Sequence, residues 1–86
     1  MEDRASPQLN ASILQAVETQ LRDATPPEVK ESYDRLIAEG YSGEEARRLI
    51  GAVLATEIYT VLKNRKEYSA ERYVQMLRKL PDMPWE

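Results

Sequence analysis

The side chains of this 86-residue chain that could carry out chemistry are carboxylates, arginines and amides, because the sequence contains no histidine and no cysteine. Imidazole and thiolate groups supply the commonest general base, the strongest nucleophile and the preferred ligands of transition metals. A catalytic base would therefore have to be a carboxylate such as Glu57 or Glu18. The sequence also lacks a glycine-rich phosphate loop, an EF-hand and a dinucleotide fingerprint. These residue types predict a non-enzymatic protein with no metal ion and no cofactor.

The most charged candidate stretch is GYSGEEARRLIGAVL, residues 40–54. Ser42 and Glu45 have the spacing of a capping box, in which each side chain bonds the backbone N–H of the other residue. Glu44 and Arg48 are four residues apart and of opposite charge, so they are expected to form a modest surface ion pair. The stretch therefore predicts the start of a core helix, with its acids in the first turn where the helix dipole favours them.

Four helical patterns of apolar residues, at steps of three and four, occupy residues 9–24, 29–37, 46–62 and 73–80. No segment alternates like a strand, and the connecting segments are short. The sequence therefore predicts an all-α fold: a small four-helix domain, arranged as a compact array or bundle, with a long central third helix of roughly 22 residues, about 33 Å.

Turn and cap residues set the predicted boundaries of these helices. Thr25 with Glu28 is expected to form a capping box that begins the second helix, and Gly40 is expected to end it. Ser69 is expected to cap the fourth helix, with Tyr68 and Tyr73 packed across the cap. The predicted organisation is a flexible arm at residues 1–7, a single helical domain at residues 8–80 and an extended tail at residues 81–86.

The third helix is apolar over an unusually wide arc when its residues are placed at about 100° intervals. A helix of this kind is normally covered from several sides, either by the rest of its own chain or by a second copy. Gly51 and Ala55, one turn apart, would allow close helix approach, although intrachain packing accounts for that pair equally well. A homodimer could form through the third helix, the fourth helix or both, and its candidate interface residues are Gly51, Ala55, Tyr59, Leu62 and Trp85.

Glu57 is the anomaly of the third helix, because it falls near the middle of the apolar arc. A carboxylate buried there must be hydrogen-bonded, paired or protonated. Gln20 occupies the corresponding position on the first helix. We expect Gln20 and Glu57 to form a buried polar pair, in which the amide donates to the carboxylate or to a nearby backbone carbonyl with help from an arginine or tyrosine. A ligand-binding role for the pair is the alternative.

Charge and hydropathy restrict the possible partners. The net charge is −3, and the basic residues are scattered among acids, so nucleic-acid binding is not expected. The N-terminus is acidic and polar, unlike a signal peptide, and no apolar run approaches the roughly 20 residues that span a bilayer. With no cysteine, the composition fits a cytoplasmic protein without membrane partners.

Much of the chain resembles a family of bacterial proteins of unknown function. That family places an H-x-x-x-H motif before an aliphatic-Glu-x-Gln-Leu segment, then a Pro-Pro-Glu turn, an Arg-Leu pair, and a Gly-aliphatic-Ser segment that leads into a second H-x-x-x-H. The matching residues here are Glu18, Gln20, Leu21, Pro26, Pro27, Glu28, Arg35, Leu36, Gly40, Ser42, Glu45, Ala46 and Ile50. The ending LRKLP is also similar, so the resemblance covers about three quarters of the chain.

The departure from that family lies at its four histidine positions, which are Asn10, Leu14, Glu44 and Arg48 in this chain. Two histidine pairs on neighbouring helices would make a reasonable metal site. Leu14 has no donor atom, and Arg48 places a cation where a metal ion would lie. The resemblance therefore implies the helical fold, whereas these positions are a degenerate site.

Two functional hypotheses follow. The leading one is a non-catalytic helical interaction module that self-associates as a homodimer or binds another protein. The alternative is a helical protein that binds a small ligand in a pocket near Gln20 and Glu57.

Overall fold

The computed structural model contains four helices: α1 (Pro7–Asp23), α2 (Pro27–Ala38), α3 (Gly43–Asn64) and α4 (Ala70–Lys79). It describes the backbone of residues 7–84 and the side chains of residues 11–84. Over residues 7–84 there is no β-strand, and the 22-residue α3 is the longest element. The predicted all-α fold, with four helices and a long third one, is confirmed.

Local capping explains where α2 ends and where α3 and α4 begin. The Ser42 Oγ accepts from the Glu45 backbone N–H at 3.0 Å, and the Glu45 carboxylate accepts from the Ser42 N–H at 2.8 Å, so the predicted capping box is present. The Ser69 Oγ accepts from the Arg72 N–H at 3.1 Å. Gly40 follows α2 with φ of 104°, a conformation that residues with a Cβ rarely adopt. These three predicted caps are confirmed.

The predicted start of α2 is wrong. Pro26, with extended backbone, is its N-cap, and no side chain caps the helix. The Thr25 hydroxyl donates instead to the Asp23 carbonyl at 3.0 Å, so it bonds the C-terminal end of α1 and does not cap the N-terminus of α2. Helix α1 begins at Pro7, the residue predicted to end the flexible arm. After α4 the chain turns, with the Asp82 N–H donating to the Lys79 carbonyl at 2.9 Å, where an extended tail was expected.

Helix α3, like the shorter α2, packs against each of the other three helices. Its buried side is formed by Ala46, Ile50, Val53 and Leu54. These side chains meet the buried apolar residues of the other helices and of the segment after α4, which are Val17, Val29, Leu36, Tyr73, Leu77 and Leu80. One contiguous core thus fixes the direction of α3 and decides which of its faces is left outside.

The C-terminal end of α4 is tied to α2 through polar contacts. The Arg35 guanidinium donates to the Leu80 carbonyl at 2.6 Å and to the Leu77 carbonyl at 3.0 Å. The last carbonyls of a helix have no partner within the helix, so a cationic donor from a neighbour satisfies them and suits the helix dipole. Arg35 therefore holds the C-terminal end of α4 against α2, and Ser69 caps its N-terminal end.

Candidate interaction surface and buried polar cluster

Glu57 is fully buried on α3 and is bonded by the start of α4. The Arg72 guanidinium donates through Nε to Oε1 at 3.0 Å and through Nη2 to Oε2 at 2.8 Å. The Ser69 backbone N–H also donates to Oε2, at 2.9 Å. A bidentate arginine contact of this kind is both strong and directional. The cluster consequently holds the α3–α4 connection in one conformation.

The electrostatics of this cluster favour the ionised carboxylate. Burial alone raises the pKa of Glu57, but the hydrogen bonds from Arg72 and Ser69 and the guanidinium charge outweigh it and leave the pKa below its ordinary value. The same bond raises the pKa of Arg72. Glu57 is thus a buried anion with its own cation, and its lowered pKa is opposite to what a general base near neutral pH requires.

Gln20 has a different partner from the one expected. Its Oε1 accepts from the Tyr73 hydroxyl at 2.7 Å, whereas the Glu57 oxygens are bonded by α4 and by the residue before it. The predicted direct contact between Gln20 and Glu57 is therefore wrong, and only Glu57 is fully buried, since Gln20 is half-buried; both residues do make polar contacts with α4 or its cap. The expected arginine and tyrosine are both present, but they act separately: Arg72 donates to Glu57, and Tyr73 donates to Gln20.

Tyr73 connects these contacts to the apolar core. Burial raises the pKa of its hydroxyl, with a smaller contribution from Tyr68, so it remains a neutral donor to Gln20. The two tyrosine rings are 6.4 Å apart between centroids, which confirms the expected packing across the α4 cap. With its hydroxyl bound and its ring enclosed, Tyr73 has a structural role in this region.

Two arginines that matter here were not singled out from the sequence. Arg72 is the third residue of α4, close to the Ser69 cap, and an unmatched carboxylate on the preceding helix was the available signal for it. Arg47 lies with Nε 2.7 Å from Glu18 Oε2 and its guanidinium 5.3 Å from the centroid of the Tyr33 ring. The second candidate base, Glu18, is thus held in an ion pair between α1 and α3.

On the side of α3 away from Glu57, apolar side chains face solvent. Leu62 is 73% exposed, Tyr59 59% and Ile58 37%. Ala52 and Ala55, three to ten residues earlier on the same helix, are half-buried. We refer to these five residues, Ala52, Ala55, Ile58, Tyr59 and Leu62, as the α3 outer face. Contiguous exposed apolar surface of this kind is typical of sites that bind another macromolecule.

Two shallow depressions border the α3 outer face. One, of about 490 Å³, lies between α1 and α3 and is lined by Ile13, Leu14, Arg48, Gly51, Ala52 and Ala55. The second, also of about 490 Å³, continues along α3 and is lined by Ala52, Ala55, Thr56 and Tyr59. Because they share Ala52 and Ala55, the two depressions form one groove along the outer side of the helix.

Of the predicted interface residues, one packs within the chain and three lie on the outer side of α3. Gly51 is buried against α1, and a Cβ added there would lie 3.4 Å from Ile13 Cγ2, so its small size serves intrachain packing. Ala55 lies on the groove, and Tyr59 and Leu62 project from the same side of the helix. Trp85 lies outside the described residues. Close helix approach at Gly51 is therefore used within the chain, while the other three residues remain available to a partner.

Two of the four positions expected to form a degenerate histidine site lie beside this groove. Leu14 and Arg48 line the same depression, and the Arg48 Nη2 lies 2.8 Å from Glu44 Oε2, as expected for an ion pair one turn apart. Asn10 is in α1, but its side chain lies outside the described part of the structure. Among the described residues, no group of three or more acidic side chains is placed to hold a metal ion.

No protein-family model, curated protein or solved structure matches the chain. Within residues 7–84, no helix has both the length and the apolar character needed to cross a membrane.

Proposed function

We propose that this protein is a non-catalytic helical interaction module that associates with a second copy of itself through the α3 outer face. The observation that carries the proposal is the exposure of Ile58, Tyr59 and Leu62 on the central helix. Burial of apolar surface is worth about 25 cal/mol per Å², so covering these side chains drives association. The groove beside Ala52 and Ala55 gives the partner a place to pack.

The buried polar residues support a structural role rather than an active site or a ligand pocket. Glu57 and Glu18, the two carboxylates considered as bases, are each paired with an arginine. Gln20 and Glu57, the residues considered for a ligand pocket, are each bonded to α4 or its cap. A ligand would have to displace those contacts, so the alternative function gains no support.

The proposal is tested by the molar mass of the intact chain in solution, measured by size-exclusion chromatography with light scattering. The wild type is expected to show twice the 9.9 kDa mass of one chain. Leu62→Glu replaces the most exposed apolar side chain of the proposed contact by a charge and is expected to give the mass of a single chain. Ile37→Glu is the matched control, because Ile37 is 40% exposed on α2, away from this surface, and this variant should remain dimeric.

A wild-type chain that remains monomeric at concentrations well above 100 µM would contradict self-association. Dimers that survive Leu62→Glu but not Ile37→Glu would also contradict it, since they would place the contact on α2. Circular dichroism of both variants confirms that each retains its helices, so a loss of dimer reports on the surface and not on folding.

A further inference from the structure

The connection between α3 and α4 differs in sequence from the other two connections. Pro26 and Pro27 lie at the junction of α1 and α2, and Gly40, with φ of 104°, ends α2. Residues 52–80 contain neither glycine nor proline, and the chain leaves α3 through Arg65, whose φ of 52° is left-handed. Residues with a Cβ adopt that region only at a cost in free energy. The local sequence therefore specifies a bend at the first two connections but not at the third.

A continuous helix through α3 and α4 is compatible with the local sequence. Arg65, Lys66 and Glu67 are good helix formers, and a helix over residues 43–79 would be about 55 Å long. Ala24 also has a φ of 52°, but the two prolines after it prevent α1 from continuing into α2. Of the three connections within residues 7–84, only the one between α3 and α4 can therefore straighten, which would remove a left-handed residue and add helical hydrogen bonds.

Contacts between residues far apart in the chain hold this connection in its bent form. Arg72 donates to the buried Glu57 carboxylate, with a distance of 2.8 Å between Nη2 and Oε2, and Tyr73 donates to Gln20 at 2.7 Å. At the other end of α4, the guanidinium of Arg35 bonds the last carbonyls of the helix. Each of these bonds joins α4 to a different helix, so the α4 of a second copy could make the same bonds.

A straight α3–α4 helix would uncover the core of a single chain. Tyr73, Leu77 and Leu80 are buried in the closed form and would lose the apolar residues of α2 and α3 that cover them. The segment that fits the place left by α4 is the α4 of another copy, because it brings the same three side chains and the same polar partners. The fold itself therefore identifies the occupant of that place.

We propose that two copies of this chain exchange α4: the connection straightens at Arg65, and the α4 of each copy packs against α2 and α3 of the other. The inference goes beyond the proposed function, because the exchange does not use the α3 outer face. Since α4 must leave the core before it is exchanged, the exchange takes place while chains fold at high concentration and not when folded chains are mixed. Chains that fold at low concentration keep the closed form, with α4 on its own chain.

Refolding at two protein concentrations tests the exchange. All chains carry Leu62→Glu, so that the α3 outer face does not contribute to the mass, and they are refolded from urea at about 5 µM or about 1 mM. Light scattering is expected to give the 9.9 kDa mass of one chain after dilute refolding and twice that mass for most of the protein after concentrated refolding. The exchanged dimer should persist for hours after dilution, because its separation requires α4 to leave the core.

Arg65→Gly and Arg65→Ala are matched variants of the connection. Glycine adopts the left-handed conformation readily and weakens a continuous helix, whereas alanine keeps the strain and favours the helix. The concentration at which half of the chains refold as dimers should therefore be at least about tenfold higher for Arg65→Gly than for Arg65→Ala. Circular dichroism after dilute refolding checks that both variants retain the four helices.

Two charge reversals identify α4 as the exchanged element. Glu57→Arg and Arg72→Glu each place like charges at the contact between α3 and α4, both in the closed chain and in a dimer of identical chains. An exchanged dimer of one variant with the other has opposite charges at both contacts. Refolding the two variants together should therefore give the mixed dimer in excess over either homodimer, as measured by native mass spectrometry.

Three results would each overturn the exchange of α4. They are the absence of dimers after concentrated refolding, dimers that separate within minutes of dilution, and equal half-dimer concentrations for Arg65→Gly and Arg65→Ala. A mixture of the charge-reversal variants without an excess of the mixed dimer would overturn it as well. None of these measurements depends on the α3 outer face, because every chain carries Leu62→Glu.

Discussion

The two sides of α3 differ from the usual pattern, in which apolar residues are buried and charged residues are exposed. On one side the charged Glu57 is fully buried; on the other Leu62 is 73% exposed. The difference between them lies in their partners rather than in their polarity. Glu57 has three hydrogen bonds from Arg72 and Ser69, which offset the cost of removing its charge from water. Among residues 11–84, whose side chains the structure describes, no apolar neighbour covers most of Leu62, and the second copy that we propose would provide one.

This comparison also shows why a domain of this size is built around one helix. Helix α3 is about 33 Å long from its 22 residues, close to the largest dimension of the molecule, 34 Å. Three shorter helices cover it on one side only. The buried side therefore determines how the chain folds, and we propose that the other side determines what the chain binds.

The largest expected effect comes from a matched pair of isoleucines, one on each side of α3. Ile50 is fully buried and Ile58 is 37% exposed. Ile50→Ala should lower the free energy of unfolding by about 3 kcal/mol, because it leaves a cavity in the core. Ile58→Ala should cost the single chain less than about 1 kcal/mol, since its neighbours can relax. Urea denaturation at low protein concentration measures both, and equal losses would contradict the division of α3 into two sides.

A somewhat smaller effect is expected for Glu57→Gln, which preserves shape but removes the charge. The glutamine amide turns a donor toward Arg72 and Ser69, which are themselves donors, so the variant should lose about 2 kcal/mol at neutral pH. Glu44→Gln is the matched control: its ion pair with Arg48 is 2.8 Å long but exposed, and its loss should cost less than about 0.5 kcal/mol. Unchanged stability of Glu57→Gln would show that the buried ion pair does not stabilise the fold.

The pH dependence of stability provides a second measurement on Glu57. Its pKa in the folded chain lies below the ordinary value of 4.5, so the unfolded chain binds more protons at acid pH. The stability that the carboxylate contributes is therefore fully present above pH 4.5 and is lost as the pH falls through its lower, folded pKa. Glu57→Gln should flatten the stability profile in that acidic range. A profile parallel to that of the wild type would contradict the ionised pair.

The sequence predicted the elements that local chemistry determines and missed those that depend on distant contacts. The Ser42–Glu45 box and the Ser69 cap follow from residues three apart, so they were readable from the chain alone. The burial of Glu57 followed from helical periodicity, which shows the side of a helix a residue occupies. Periodicity does not show which residue of another helix reaches that side, and Arg72, fifteen positions further on, was missed for this reason.

Two further errors have the same kind of origin. Thr25 matched the N-cap pattern, but Pro26 takes the extended N-cap backbone itself and leaves the threonine hydroxyl to the end of α1. Gly51 was considered for a dimer contact because it is small, yet the close approach that it allows is to Ile13 of α1. In both cases the residue type was informative, but the partner was determined by the packing of the whole domain.

A smaller effect is expected at the contact between α1 and α4. Tyr73→Phe removes the hydroxyl that donates to Gln20 at 2.7 Å and leaves the ring in the core. The variant should lose about 1 kcal/mol, the typical net value of one buried hydrogen bond. Tyr59→Phe is the control on the exposed side and should leave the stability of the single chain unchanged. If both variants lose the same free energy, the Tyr73 hydroxyl has no special structural role.

The smallest expected effect concerns metal binding beside the groove. Leu14, Glu44 and Arg48 are the positions at which the sequence resemblance leads us to expect a degenerate histidine site, and Arg48 and Leu14 line the same depression. Zinc or nickel should therefore leave the Tm of the wild type unchanged. A large rise would show that this surface retains a metal site and would contradict its assignment to protein contact.

The matched variant for this experiment replaces Leu14, Glu44 and Arg48 together by histidine. Positions 44 and 48 are one helical turn apart, and positions 14 and 48 line one depression, so we expect the imidazoles at 44 and 48 to hold one ion and the imidazole at 14 to be the nearest third ligand. Zinc should raise the Tm of this variant, because any ligand that binds only the folded state stabilises it. If zinc raises the Tm of the variant and not that of the wild type, the difference in metal binding is caused by the three side chains and not by the backbone. A variant that fails to respond would show that α1 and α3 are too far apart at this groove for shared coordination.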